Sequence, residues 1–476
     1  MEYANQIEKL KYSTDNIVLA TDSYKLNHWN QYLEGTQGVY SYFESREGAE
    51  FPYTVFFGLQ AILKRYLVGD VVKETDIDIA AKIAKAHFGD NGFLKSARWD
   101  HIMWDHKGKL PLRIKAVPEG TKVPTGNVLM TVENTCDECY WLTNAMESLL
   151  VHTWYPSTVA TLSTHTIEMI GGYLDKTGCT RDGLGFMLHD FGYRGASSHE
   201  SAALGGAAHL LSSRGTDTLP GMLAALEYYD ANLDDLAFSV PATEHSIMTA
   251  RGEDGEMDLL GELLENYPSG ILSVVSDSYN VMNFVRSAVE HYGDQIMARD
   301  GKLVFRPDSL RNDDDTPEKQ MVGLSNLLYS SFGGTINEAG YKELDPRVGL
   351  LWGDGIDPDG IERILDFCYE EGFAASNYVF GMGGGLLQKV NRDTQRFAFK
   401  CSAQKHNDEW VSVKKNPLDQ TKRSKAGRLM LLKDEHGDYK TEATNTPNLG
   451  ELVTVFEDGE LVKEYTFDEV RANLAG

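Results

Sequence analysis

A chain of 476 residues, 42% hydrophobic and 24% charged, has room for two or three ordinary domains or one large α/β unit with a second lobe, and its composition is that of a folded globular protein. Its formal charge of −26 argues against the broad basic face that nucleic acid or an anionic membrane would need. Any anion it binds must meet a local basic cluster.

The first residues, MEYANQIEKLKYSTDN, lack the apolar core of a signal peptide, and no run approaches a membrane span, so a cytoplasmic chain is expected. Five cysteines, at 136, 139, 179, 368 and 401, are scattered and odd in number. CDEC at 136–139 is a lone CxxC with neither a second pair nor a nearby His, which reads as reduced structural thiols rather than a metal or redox site.

The elements then follow in chain order. VYSYFESR (39–46) is β-rich, and residues 110–134 alternate and turn at PEGT and PTGN as antiparallel hairpins do. A long helical pattern runs from Cys139 to about Lys176. Next, a short apolar run ending in polar or glycine-rich residues and followed by a helical segment recurs seven times. The strand ends are MLHDFGYRG (187–195), SSRGTDT (212–218), FSVPATEHS (238–246), LSVVSDSY (272–279), LVFRPDS (303–309), LLWGDGID (350–357) and YVFGMGGG (378–385). Such alternation implies a parallel sheet, and this many units in about 200 residues suit a barrel whose strand–helix loops share one rim. After Arg396 hairpins return, with Asp458-Gly459 at a turn. The expected fold is α/β, with an irregular, TIM-like barrel over 151–396 and a β-rich lobe built from 1–150 plus 397–476.

Chemistry collects at the strand ends. GDG (353–355) and GMGGG (381–385) are either tight turns or consecutive phosphate loops, since bare backbone N–H groups attract an anion. Arg306 and Asp308 in RPDS are either a local ion pair or a guanidinium for phosphate beside a carboxylate for Mg²⁺ held jointly with diphosphate. Asp277 and Asp354 add carboxylates to the same rim. His245, next to Glu244, is either structural or a donor or phosphoryl acceptor beside diphosphate. SSHE from Ser197 fits a capping box, and DDD (313–315) a solvated loop. In FMLHDFGYRG, Phe191 can stack on a flat heteroaromatic ring and Arg194 can face an anion, while Asp217 can accept from an amide. Phosphate and metal at one end and a planar base at the other is the layout of a phosphoribosyl donor meeting a nitrogen base.

LATDSYK (19–25), YFESRE (42–47), HDFGYRG, GTDT, EHS, SVVSDSY, RPDS, GDG, GGGLLQK (383–389), RD (392–393), FKCS (399–402) and KRSK (422–425) occur in this order over nearly the whole chain and resemble the nicotinamide phosphoribosyltransferase family. The resemblance implies a type II phosphoribosyltransferase fold and a homodimer with active sites at the subunit interface. It implies transfer from phosphoribosyl pyrophosphate to nicotinamide with Mg²⁺, releasing pyrophosphate, and ATP hydrolysis coupled through phosphorylation of His245. Phe191 then stacks on one face of the pyridine, and Tyr24 of the partner subunit covers the other. Asp217 receives the carboxamide, and Arg194, His245 and Arg306 contact diphosphate. Gly353, Asp354, Gly384 and Arg392 hold the ribose phosphate side, and Arg46, Lys400 and Lys415 reach phosphate across the dimer. The chain departs from the family pattern at Leu310, where a glycine is usual, at Met382, where a serine is usual, and at Ala398, also a serine in the family. Nicotinate transfer is the nearest rival, against which Asp217 argues. A non-catalytic nucleotide-binding protein of the same fold is another.

Overall fold

The computed structural model describes residues 12–89, 91–310, 315–415, 424–445 and 449–476. The chain divides into two compact units. One comprises the described residues up to Thr161 with Ala224–Ala231 and Asn391–Gly476, and the other Leu162–Leu223 with Asn232–Val390. The sequence reading places these breaks at 150/151 and 396/397.

The first unit is built on a seven-stranded sheet drawn from both ends of the chain. Its order is Glu409–Ser412, Ala398–His406, Thr36–Glu44, Val128–Asn134, Leu112–Ala116, Val453–Glu457 and Glu460–Leu461, with antiparallel neighbours. The last hairpin turns at Asp458-Gly459, where φ is 48° and 83°, the paired positive values that this dipeptide tolerates. Behind the sheet, Phe43 stacks on Phe397 with ring centres 5.0 Å apart. The detached segment Ala224–Ala231 is fixed through Tyr229, which stacks on Phe57 at 4.9 Å and donates to the buried Glu119 at 2.7 Å. Glu119 also accepts from the backbone of Gly58 and Gln60, so this buried carboxylate is satisfied on every side.

The second unit carries the parallel sheet. Its strands are β1 (Leu188–Asp190), β2 (Gly215–Thr216), β3 (Ser269–Val275), β4 (Asp300–Arg306), β5 (Val348–Trp352) and β6 (Tyr378–Met382), in the spatial order β2-β1-β6-β5-β4-β3. Every pairing is parallel. Strand β5 is buried along its whole length, which is why it reads as the unbroken apolar run VGLLW. Helices α1 (His199–His209), α2 (Val281–Ala298), α3 (Pro317–Phe332) and α4 (Pro358–Glu370) follow strands in alternation, capped by the side chains of Ser198, Asn280, Thr316 and Asp357.

Four expectations are corrected. FSVPATEHS is no strand: it makes only isolated parallel bridges, Phe238 to Gly215 and Ala242 to Ser273. Pro241 has no N–H to donate, and this interrupts a ladder between them. The long helix after Cys139 is broken into short turns before a helix over Trp154–Lys176. The cap of α1 is Ser198 accepting from Ser201 N, one residue beyond the expected box. Of the run at 313–315, only Asp315 is described, and it is buried. Residues 1–11 and the KR of KRSK lie outside the described residues.

Candidate active site

In a parallel sheet every strand ends on the same side, so residues far apart in sequence meet on one rim. Phe191 follows β1, Asp217 follows β2, Asp277 follows β3, Asp308 follows β4, Gly353 and Asp354 follow β5, and Gly383–Gly385 follow β6. Arg306 is the last residue of β4.

Phe191 is held in place by backbone. Its N–H donates to Met382 O at 3.0 Å. Its ring lies over two glycines: a Cβ on Gly381 would stand 2.0 Å from its Cε2, and one on Gly353 would stand 3.2 Å away. The glycines at these strand ends thus make a seat for an aromatic ring. Asp190, just before it, is fully buried and accepts from Gly192 N at 2.7 Å, and burial pushes its carboxyl up to about 6. Asp217 donates its N–H to Asp190 O, and its Oδ1 accepts from Ser239 Oγ at 2.6 Å. His189 sits nearby, its imidazole held below the usual range by burial, with Asp217 opposing.

On the opposite part of the rim, His245 begins a short helix, half exposed, with Nε2 3.2 Å from Asp277 Oδ1. Asp277 is itself nearly buried and also accepts from Ser309 Oγ. It therefore orients His245 within this unit, a role that sequence reasoning, which placed it as a rim carboxylate, did not see. Arg306 donates from Nη2 to Thr243 O at 2.8 Å and pairs with Asp308 at 3.4 Å. The local ion pair and the rim position both exist. Burial pushes the Asp308 carboxyl upward; Arg306 and His245 oppose this, while Asp277 and Asp354 add to it.

The two glycine loops pack against each other. A Cβ on Gly385 would stand 2.6 Å from Ile356 O, whereas one on Gly384 would meet nothing within 4 Å, so Gly384 leaves open space. Together with Arg194, Asp217, Arg306, Asp308, Asp354 and Lys389, these loops line a polar cavity of about 660 Å³. Sequence reasoning gives Lys389, in GGGLLQK, no role; a cation four residues past a glycine loop is the available signal. A second cavity, of about 730 Å³, shares part of this lining and has Phe186, Phe238, Ile271, Val304 and Val379 among its other walls. Phe191, Asp217, Ala242 and Arg306 border both. A flat apolar ring and a polyphosphate can therefore lie side by side, with Phe191 and Asp217 at the junction.

Tyr24, Arg46, Arg392, Lys400 and Lys415 belong to the first unit. Tyr24 is exposed in the 3₁₀ segment Ser23–Asn30. Arg392 is exposed and pairs with Asp393. Arg46, Lys400 and Lys415 do come together: the Lys400 ammonium is pushed down, first by burial and then by the charges of Arg46 and Lys415. The carboxylates of Glu44 and Glu147 oppose this shift. Of the departures, Met382 is buried at the end of β6, Ala398 is buried at the start of its strand, and Leu310 is exposed.

Residues 186–460 match the nicotinate phosphoribosyltransferase (NAPRTase) family, and residues 16–114 match the nicotinamide phosphoribosyltransferase N-terminal domain. The chain belongs to this phosphoribosyltransferase family. A nicotinamide phosphoribosyltransferase of Xanthomonas campestris pv. campestris is 44% identical over 474 residues, covering 96% of this chain and 98% of that one. Another, of Acinetobacter baylyi, is 35% identical over 492 residues, covering 97% of each. Among solved structures, nicotinate-nucleotide pyrophosphorylase from Pyrococcus furiosus superposes with a TM-score of 0.61 at 17% identity, over 98% of this chain and 96% of that one. At that identity the likeness is one of fold alone. The ordered motifs thus identified the family, and the fold is mixed α/β, with one parallel sheet and further antiparallel sheets. Among the described residues, no helix is long and apolar enough to cross a membrane.

Proposed function

We propose that the chain transfers the phosphoribosyl group of phosphoribosyl pyrophosphate to nicotinamide, giving nicotinamide mononucleotide and pyrophosphate in NAD salvage. The observation that carries this reading is the seat of Phe191 on Gly381 and Gly353 beside Asp217, where an apolar cavity meets a polar, glycine-lined one. Two relatives named for this activity, matching over nearly the full length, support it.

The reaction breaks the bond from ribose C1 to the diphosphate, whose oxygen keeps the electron pair, while the pyridine nitrogen gives its lone pair to C1. Charge develops on the departing diphosphate and on an oxocarbenium-like sugar. Arg306 and Arg194 face the diphosphate, and the loops at Gly353 and Gly384 take the ribose phosphate through bare backbone. Phe191 holds the pyridine plane so that its nitrogen points at C1, the positional part of the rate gain. Ser239 occupies Oδ1 of Asp217, leaving Oδ2 to accept from the carboxamide NH₂. A second carboxylate, as in nicotinic acid, meets like charge there.

Asp308 and Asp354 are hard oxygen donors beside the phosphate loops and fit Mg²⁺ bound jointly with diphosphate, which when present neutralises part of the leaving charge. His245, held through Nε2 by Asp277, has no hydrogen-bond partner at Nδ1 among the described residues and is read as the group that accepts a phosphoryl from ATP. The same proposal takes the sheet as an irregular barrel, since Phe238 and Ala242 bridge its two edge strands. It takes the assembly as a cytoplasmic homodimer in which Tyr24, Arg46, Lys400 and Lys415 serve the site of the neighbouring subunit. Neither nucleic acid nor membrane is a partner. The test is product formation with nicotinamide and nicotinic acid in parallel, with Mg²⁺, with and without ATP. Mononucleotide from nicotinamide is the expected result; turnover of nicotinic acid alone overturns the substrate assignment.

A further inference from the structure

The CxxC dismissed from sequence acquires partners in space. Cys136 follows the strand Val128–Asn134, and Cys139 closes a single turn, its N–H donating to Cys136 O at 3.0 Å. His101 lies within the helix Ser96–Asp105, and His106 caps that helix. The chain then reverses through Lys107 and Gly108, both at positive φ, with the N–H groups of His106 and Gly108 donating to Ile102 O. One donor atom from each of His101, His106, Cys136 and Cys139 lies within 4.8 Å of the others. We propose that these four side chains form a structural Zn²⁺ site in the first unit.

Both spacings suit it: C-x₂-C and H-x₄-H are those of Cys₂His₂ zinc sites. The distances suit it as well. Zn–S of about 2.3 Å and Zn–N of about 2.0 Å at a tetrahedral angle put sulfur and nitrogen roughly 3.5 Å apart, and His101 Nε2 lies 3.5 Å from Cys136 Sγ. His101 faces the cluster through Nε2 because Nδ1–H donates to Asp105 at 2.7 Å, the carboxylate–histidine arrangement that fixes tautomer and orientation in zinc sites. Cys139 is fully buried, and four protein donors close the coordination shell, so the metal is structural and meets no substrate. Two thiolates and two imidazoles reject Mg²⁺, which sets the site apart from any metal used with diphosphate. Binding releases two thiol protons, one of which Cys136 now directs to Glu138 at 3.1 Å.

Untagged protein, expressed with zinc in the medium and freed of loose metal by gel filtration, is expected to carry about one zinc per chain. The reduced apo-protein titrated with Co²⁺ should develop thiolate charge-transfer and tetrahedral ligand-field bands, and stripping the zinc should lower the melting temperature by about 5 °C or more. Cys136→Ser and His106→Ala should lose the metal, while Cys179→Ser keeps it. If those variants fail to fold, the zinc content and Co²⁺ spectrum of the wild type still decide. Zinc on fewer than about one chain in ten together with no Co²⁺ bands overturns the proposal, and so does a Cys136–Cys139 disulfide in protein purified under reducing conditions.

Discussion

Gly381 and Phe191 occupy one space: a Cβ on the glycine would fall 2.0 Å from the Cε2 of the phenylalanine ring. Gly353 abuts the same ring, and a Cβ there would stand 3.2 Å from it. Gly381→Ala is therefore expected to tilt Phe191 out of the plane it offers a substrate ring. Overpacking of this kind costs about 1–3 kcal/mol of stability. The loss of stacking geometry should lower kcat/KM for nicotinamide by about tenfold or more, equivalent to about 1.4 kcal/mol. Steady-state kinetics on protein still folded by circular dichroism checks it; unchanged kcat/KM removes Phe191 from the ring site.

Asp217 stands at the junction of the two cavities with one carboxylate oxygen already taken by Ser239. Asp217→Asn keeps the shape and removes the charge. The ratio of kcat/KM for nicotinamide over nicotinic acid should fall by about 10- to 100-fold, or roughly 1.4–3 kcal/mol of discrimination. Parallel assays of both bases give the ratio directly. A ratio equal to that of the wild type means another group sets the preference.

Much of this was legible because it depends on local order. An apolar run followed by glycine and charge marks a strand end, and parallel topology brings such ends together without further information, so Phe191, Asp217, Asp308 and Asp354 could be named from spacing. The positive φ at Asp458-Gly459 was equally local. Other features depend on tertiary distance. That Asp277 orients His245, that Gly381 seats Phe191, and that His101 and His106 join a CxxC thirty-odd residues later are facts of packing, invisible to any window along the chain. FSVPATEHS failed as a strand for a local reason that was present but underweighted: Pro241 withholds a donor.

Asp190 supplies a pH signature. Its side chain is fully buried, and its carboxyl sits at about 6, against 3.8 when unperturbed. A folded-state value above the unfolded one favours the protonated form, so the associated stability is fully present below 3.8 and is lost as pH rises through about 6. Above that pH the fold carries an ionised buried acid at a cost of about 2–3 kcal/mol. Asp190→Asn, which retains an oxygen for Gly192 N, should gain stability relative to the wild type as pH is raised from 4 to about 7. Melting temperatures of both proteins across that range test it. A difference that stays flat with pH shows that Asp190 is not ionising there.

Tyr24, in the other unit and 58% exposed, is the aromatic expected over the far face of the base. A tyrosine this open gains little from its own fold, and a two-fold assembly that placed it over a neighbour's Phe191 would bury it. Complementation distinguishes sharing from self-sufficiency. Tyr24→Ala and Phe191→Ala should each be nearly inactive alone. In a mixed dimer, if Tyr24 acts across the interface, one site carries both changes and the other carries neither. Random co-assembly makes half the dimers mixed, so about a quarter of wild-type activity should return. Denaturing and refolding the two variants separately, then together, with activity read against tyrosine-intact controls, checks this. If Tyr24 serves its own subunit, every site in the mixture carries one change, and no activity returns at any ratio.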